Sequence, residues 1–187
     1  MNNKVLNLFS TPVFTKSLDI PLSKLKKVCV EKKGGRIHSN AGGYHSETLD
    51  IYKEPFKSLF DIIHKEVSEY AFNFLEAKKI EYDNSWYIVN KPYSYNLRHD
   101  HPYASISGVF YVTKPKNSGD IVFHNPNEVQ HFLPNDSVEK FNNYNAGKYF
   151  FHSKEKDLLI FPAWLKHEVT QNLSKKNRVA ISFNYKC

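Results

Sequence analysis

Apolar residues recur at steps of three and four from about position 55 to 77. Phe56, Leu59, Phe60, Ile63, Val67, Tyr70, Ala71, Phe74 and Leu75 form one stripe, while Lys57, Asp61, Lys65 and Glu66 take the other face. That spacing predicts an amphipathic helix with a stripe wide enough to lie against a sheet. From "SWYIV" onward the period drops to two. Short β-branched and aromatic runs, separated by turn residues, fall at about 86–90, 94–101, 106–113, 120–124, 147–152, 157–161, 167–171 and 178–185. Eight such runs within about 100 residues, with no helical period between them, predict an antiparallel sandwich or barrel.

The remaining segments read less sharply. "LNLFSTPVFTKSL" alternates weakly around Pro12 and suits an edge strand or extended lead-in. "PLSKLKKVCVEK" spaces Leu22, Leu25 and Val28 as a short helix behind Pro21. "GGRIHSNAGGYHS", from Gly34 to Ser46, reads as a glycine-rich loop, and the polar stretch 125–146 as a surface excursion of the kind that shapes substrate binding. No repeat or low-complexity tract interrupts the pattern.

Composition narrows the class. The chain has 187 residues, 14 Phe, 12 Tyr and 24% charged residues, enough for one unit with a substantial core. A formal charge of +7 raises the question of nucleic acid. The basic residues come in short groups ("LKKV", "EKKGGR", "LSKKNR") and form no single stripe, which argues against it. Cys29 and Cys187 have no CxxC spacing and read as free thiols. No run approaches the roughly 18 apolar residues of a spanning helix, and "MNNKVLNLFSTPVF" lacks a signal-peptide core. The expectation is a soluble, cytoplasmic protein with no membrane association.

The chemistry gathers in "NLRHDHPYASISGVFYV", 96–112. In a strand, residues i and i+2 face the same way, so His99 and His101 point together and Asp100 points away. Two imidazoles alone are a weak signal, since a solvated pair fits as well. A third, His167, opens a strand after the apolar run and turn of "DLLIFPAWLKHEV". Eleven positions later Arg178 leads into "VAISF", an uncharged strand where burying a guanidinium is costly unless it meets an anion. A solvated edge arginine is the bland alternative.

Taken in order, "LFSTPVF", "SNAGGYHS", "HDHPYASISGVFYV", "GDIVFHNP", "LLIFPAWLKHEV" and "NRVAISFN" resemble the Fe(II)- and 2-oxoglutarate-dependent oxygenases of bacteria and marine phages, over nearly the whole chain. The resemblance implies a mainly β fold with N-terminal helices and a double-stranded β-helix (jelly-roll, cupin-like) core. Residues 1–80 would supply the lead-in strand and supporting helices, and 81–187 the core. It implies Fe(II) on His99, His101 and His167, and 2-oxoglutarate held at its far carboxylate by Arg178. The reaction implied consumes O₂ and 2-oxoglutarate, releases succinate and CO₂, and oxidises an unidentified substrate: a protein side chain, a nucleic acid or a small molecule. A phage origin would place the protein in the host cytoplasm.

Two positions depart from the family pattern. The common ligand set is two histidines and a carboxylate, yet position 101 is His. Either the site holds three histidines, which needs no irregularity in "HDHP", or a bulge turns Asp100 inward. The hydroxyl usually found two residues after the arginine is replaced by Ala180. Tyr95, on the presumed face of His99, comes first as its substitute, ahead of Ser107 and Tyr111. Two rivals stand beside the oxygenase: a cupin-type metalloenzyme that does not use 2-oxoglutarate, and a non-catalytic β-sandwich that binds a partner.

Overall fold

The computed structural model describes residues 4–127, 129–133 and 135–187. Two antiparallel sheets face each other. The strands are β1 (Phe14–Ser17), β2 (Asn40–Ala41), β3 (Tyr44–His45), β4 (Glu81–Asn90), β5 (Tyr95–His99), β6 (Ile106–Thr113), β7 (Ile121–His124), β8 (Lys148–Phe151), β9 (Asp157–Pro162), β10 (His167–Val169) and β11 (Arg178–Lys186). The larger sheet runs β1-β9-β6-β11-β4-β3 and the smaller β2-β5-β10-β7-β8. From β4 to β7, and again from β8 to β11, consecutive strands alternate between the sheets, which is the winding of a double-stranded β-helix.

The period of two decides what each face of the larger sheet meets. On β11, Val179, Ile181, Phe183 and Tyr185 join the cluster that includes helix residues Leu59, Phe60, Ile63 and Val67. Their neighbours Arg178, Ala180, Ser182 and Asn184 line a cavity between the sheets. Strand β4 divides the same way, with Tyr87 and Val89 toward the helices and Trp86, Ile88 and Asn90 toward the cavity. Gly108 on β6 is forced by this packing. A Cβ there would lie 2.2 Å from the Phe183 ring and 2.6 Å from the Leu159 carbonyl oxygen.

Helix α2 (Phe56–Leu75) covers the outer face of that sheet, as its stripe predicts, and α1 (Ser23–Val28) packs beside it. The stripe differs from expectation at two places. Glu66, assigned to the polar face, is buried and bonds Lys16 of β1 at 2.6 Å, because the edge strand passes over that flank. Phe74 and Leu75 lie beyond the sheet and stay exposed.

Local propensity also misjudges three segments. Strand β4 starts at Glu81, within the polar "EYDNS", because β11 pairs along it as far as Lys186↔Glu81. The glycine-rich segment is no simple loop: β2 pairs with β5 and β3 with β4, so it bridges both sheets. Strand β5 stops at His99, leaving His101 in the loop that follows. In the excursion 125–146, where positions 128 and 134 lie outside the described residues, two 3₁₀ turns occur at Val129–His131 and Asn135–Ser137. Among the described residues no helix is long and apolar enough to cross a membrane.

Candidate metal centre

His99 ends β5 and His167 opens β10, and the two are direct cross-strand partners. The backbone N–H of His101 donates to the Ala163 carbonyl at 3.0 Å, fastening its loop beside the turn that leads to His167. As a result the three imidazoles converge. One ligand nitrogen from each lies within 4.8 Å of the others, and the Nε2 atoms of His101 and His167 are 3.4 Å apart. Metal–imidazole bonds of about 2.0–2.1 Å would draw this cluster slightly inward.

Two rings are held in a defined tautomer. His99 Nδ1 lies 2.6 Å from the Leu97 carbonyl and His167 Nδ1 2.8 Å from the Leu165 carbonyl. A carbonyl can only accept, so each Nδ1 carries the proton and each Nε2 keeps its lone pair for the shared centre. Burial favours the neutral ring. It lowers the pKa of His99, pulls that of His101 down to about 3 with help from nearby His99, and holds that of His167 well below its ordinary value. All three are neutral at pH 7, the state that coordination requires. Asp100 lines the cavity but is outside the cluster.

The cavity behind the histidines has a volume of about 610 Å³. Val109, Ile121, Phe161 and Val169 line it, and Arg178 and Tyr111 share it. Arg178 is 2% exposed, and its Nη1 donates to the Ser118 carbonyl at 2.6 Å. Burial lowers its pKa, against the opposing pull of Tyr111 and Asp120. Among the described residues no carboxylate comes within ion-pair distance of it. Gly119 (φ +83°) lets the chain pass this close, since a Cβ there would sit 2.7 Å from Nη1 and 2.1 Å from the Thr170 carbonyl oxygen.

A β-bulge changes the set of hydroxyl neighbours. His167 opposes His99, but Val169 opposes Asn96, so β5 carries one residue more than β10 over that interval. The extra residue flips the phase. Buried Asn96 lines the cavity with Val169, while Tyr95 is 40% exposed and is absent from the lining. Tyr95 therefore does not share the inward face of His99. Ser107 is also occupied elsewhere, donating to Asn184 Oδ1 at 2.7 Å. Of the three candidates only Tyr111, 2% exposed, shares the cavity with Arg178.

Residues not anticipated from the sequence complete the wall. Asn90 Nδ2 donates to Asn96 Oδ1 at 3.2 Å, linking the two sheets, and Asn96 Nδ2 donates to Ser39 Oγ at 3.3 Å. Trp86 lies against His101 with ring centroids 5.7 Å apart. An asparagine closing the otherwise apolar "YIVN" was the available signal for this wall.

Comparison with known proteins agrees with this geometry. Residues 84–184 match the family model described as "Putative 2OG-Fe(II) oxygenase". More than half of the chain is matched, and the protein belongs to the 2OG-Fe(II) oxygenase family. Solved structures share the fold at low identity. HygX from Streptomyces hygroscopicus, with nickel and 2-oxoglutarate bound, is 8% identical over 94% of this chain and 83% of that one, at a TM-score of 0.66. The α-ketoglutarate-dependent carbocyclase SnoK of nogalamycin biosynthesis is 14% identical over 94% and 79%, at 0.65. A Pseudomonas putida prolyl-4-hydroxylase is 12% identical over 96% and 95%, at 0.63. No curated protein sequence matches significantly.

Proposed function

We propose that His99, His101 and His167 hold one Fe(II), and that Arg178 with Tyr111 takes the far carboxylate of 2-oxoglutarate in the same cavity. One observation carries this reading. Three neutral imidazoles converge on a cavity that also holds a buried arginine with no carboxylate partner among the described residues. A guanidinium has five donors, and one of them is satisfied by Ser118. An unpaired buried charge is costly, and a planar carboxylate is the partner that its fork fits best.

Fe(II), when bound, supplies the redox chemistry that couples decarboxylation of 2-oxoglutarate to oxidation of a C–H bond. The chain positions and protects. His99 and His167 present Nε2 because their Nδ1–H groups are tied to backbone carbonyls. Val109, Ile121, Phe161 and Val169 keep water from the cosubstrate, which strengthens the arginine–carboxylate attraction. Asp83, Asn84, Trp86 and Pro102 line the same cavity as the histidines and would meet a substrate there.

The test is release of succinate from 2-oxoglutarate by the iron-loaded protein, with His167→Ala as control. Turnover in wild type, lost in the variant, supports the reading. Equal rates in both would overturn the metal centre.

A further inference from the structure

The three imidazoles are not held alike. His99 and His167 each donate from Nδ1 to the carbonyl two residues earlier. The His101 ring has no such bond: among the described residues its one polar neighbour is Nε2 of His167. Yet His101 follows the end of β5 and sits in a loop, where a ring needs more support, not less.

The support is a stack. Trp86 lies against His101 with centroids 5.7 Å apart and planes 24° from parallel. The indole in turn meets His45 at 5.2 Å and 12°. Toward the metal centre His101 meets His167 edge to edge, the two Nε2 atoms 3.4 Å apart and the ring planes 4° from parallel. The rings of His45, Trp86 and His101 thus form a column from the glycine-rich segment to the metal centre, at offset-stacking distances.

The base of the column is fixed by the backbone. His45 Nδ1–H donates to the Ser46 carbonyl at 2.8 Å. Ser46 is locked to β4 in turn, its N–H donating to the Tyr87 carbonyl at 3.0 Å and its Oγ accepting from the Tyr87 N–H at 3.0 Å. Trp86 Nε1 is buried with no hydrogen-bond partner among the described residues. The indole therefore contributes a plane and no polar contact.

We propose that Trp86 is the positioning residue for His101, its indole face fixing the orientation of an imidazole that no backbone carbonyl holds. The proposal rests on the three-histidine centre above. It gives the segment 39–46 a role as the backing of that centre, through His45.

Co(II) serves as the probe, because its visible absorption reports ligand geometry and its titration reports affinity without turnover. Trp86→Ala and Trp86→Met should each weaken Co(II) binding about 10- to 100-fold, the usual range for groups that orient metal ligands, and shift the absorption bands. Trp86→Phe should restore most of the affinity, because a ring plane is retained and no hydrogen bond is lost. In a His101→Ala background, Trp86→Met should have no further effect, since the ring that it orients is gone. Wild-type affinity in Trp86→Met, beside a defective His101→Ala, overturns the proposal and leaves the metal centre standing. An equal loss from Trp86→Met with or without His101, or a Trp86→Met chain that does not fold, makes Trp86 a general packing residue and also overturns it. Wild-type affinity in His101→Ala sinks the three-histidine centre itself, and the proposal with it.

Discussion

The two faces of β11 share one backbone and one set of hydrogen bonds but are built to opposite ends. Toward α2 the strand presents Val179, Ile181, Phe183 and Tyr185, in contact with the helix cluster. Toward the cavity it presents Arg178, Ala180, Ser182 and Asn184. The first face stabilises the fold by removing apolar surface from water. The second buries the Arg178 charge, which weakens the fold and is useful only if a ligand meets it, while its amide, Asn184, is satisfied by Ser107 and Asn84. Stability and chemistry thus lie on alternate residues of one strand, and substitutions on the two faces should separate them.

The largest effect is expected on the helix face. Phe183 is fully buried and meets Phe60 edge-on, with centroids 6.2 Å apart. Phe183→Ala should lower unfolding stability by about 3–5 kcal/mol, read by urea denaturation. On the cavity face the order reverses. Arg178→Met should leave the ligand-free protein as stable as wild type or more so, because a buried charge without a counter-ion is removed. The same variant should weaken 2-oxoglutarate binding more than about 100-fold, roughly 3 kcal/mol, with metal affinity nearly intact. Calorimetric titration of the metal-loaded variant that matched wild type would make Arg178 a structural residue.

The histidines give the comparison a pH axis. In the unfolded chain an imidazole titrates near 6.5, whereas His101 in the fold is held at about 3, first by burial and then by His99. Between those values the unfolded state binds a proton that the native state refuses. The metal-free protein therefore loses stability as pH falls through that window. From pH 7 to pH 5 one such imidazole accounts for about 2 kcal/mol, and His99 and His167 shift in the same direction. Urea unfolding at pH 7, 6 and 5 should show this slope, and His101→Phe should flatten it by one imidazole's share.

What was legible in the chain follows the same division. Strand β6 falls at 106–113 as read, because its pattern is bounded by Ser105 and by Lys114–Pro115, and α2 differs from its reading by one residue at the start and two at the end. His99 and His101 stood out in the chain by their i, i+2 spacing, and His167 and Arg178 as polar groups beside apolar runs. Features set by pairing between strands were not. The first half of β4 is polar and becomes a strand because β11 lies beside it. The bulge in β5 leaves no local mark, so Tyr95 was given the wrong face. The bulge weighed as a way to turn Asp100 inward is not the one present: the irregularity lies between Asn96 and His99, and Asp100 stays outside the histidine cluster. His45 meets Trp86, and Trp86 meets His101, only through the pairing of β3 with β4 and the facing of the two sheets.

The smallest predicted effect decides among the hydroxyls. Tyr111 sits on β6 and shares the cavity, and burial raises its pKa while the Ser153 hydroxyl beside it and then Arg178 oppose that rise. At neutral pH it carries its proton and can donate to a carboxylate placed at Arg178. A hydrogen bond to a charged group contributes about 1.5–3 kcal/mol, less where a second donor already serves the same carboxylate. Tyr111→Phe should therefore weaken 2-oxoglutarate binding about tenfold, or 1.4 kcal/mol, with Tm little changed. Tyr95→Phe should be silent because its side chain lies on the outer side of the bulge. Ser107→Ala should act on stability alone, since its hydroxyl is spent on Asn184. A tenfold loss in Tyr95→Phe with none in Tyr111→Phe would mean that β5 shifts its register when cosubstrate binds, and the bulge would then be a feature of the ligand-free state alone.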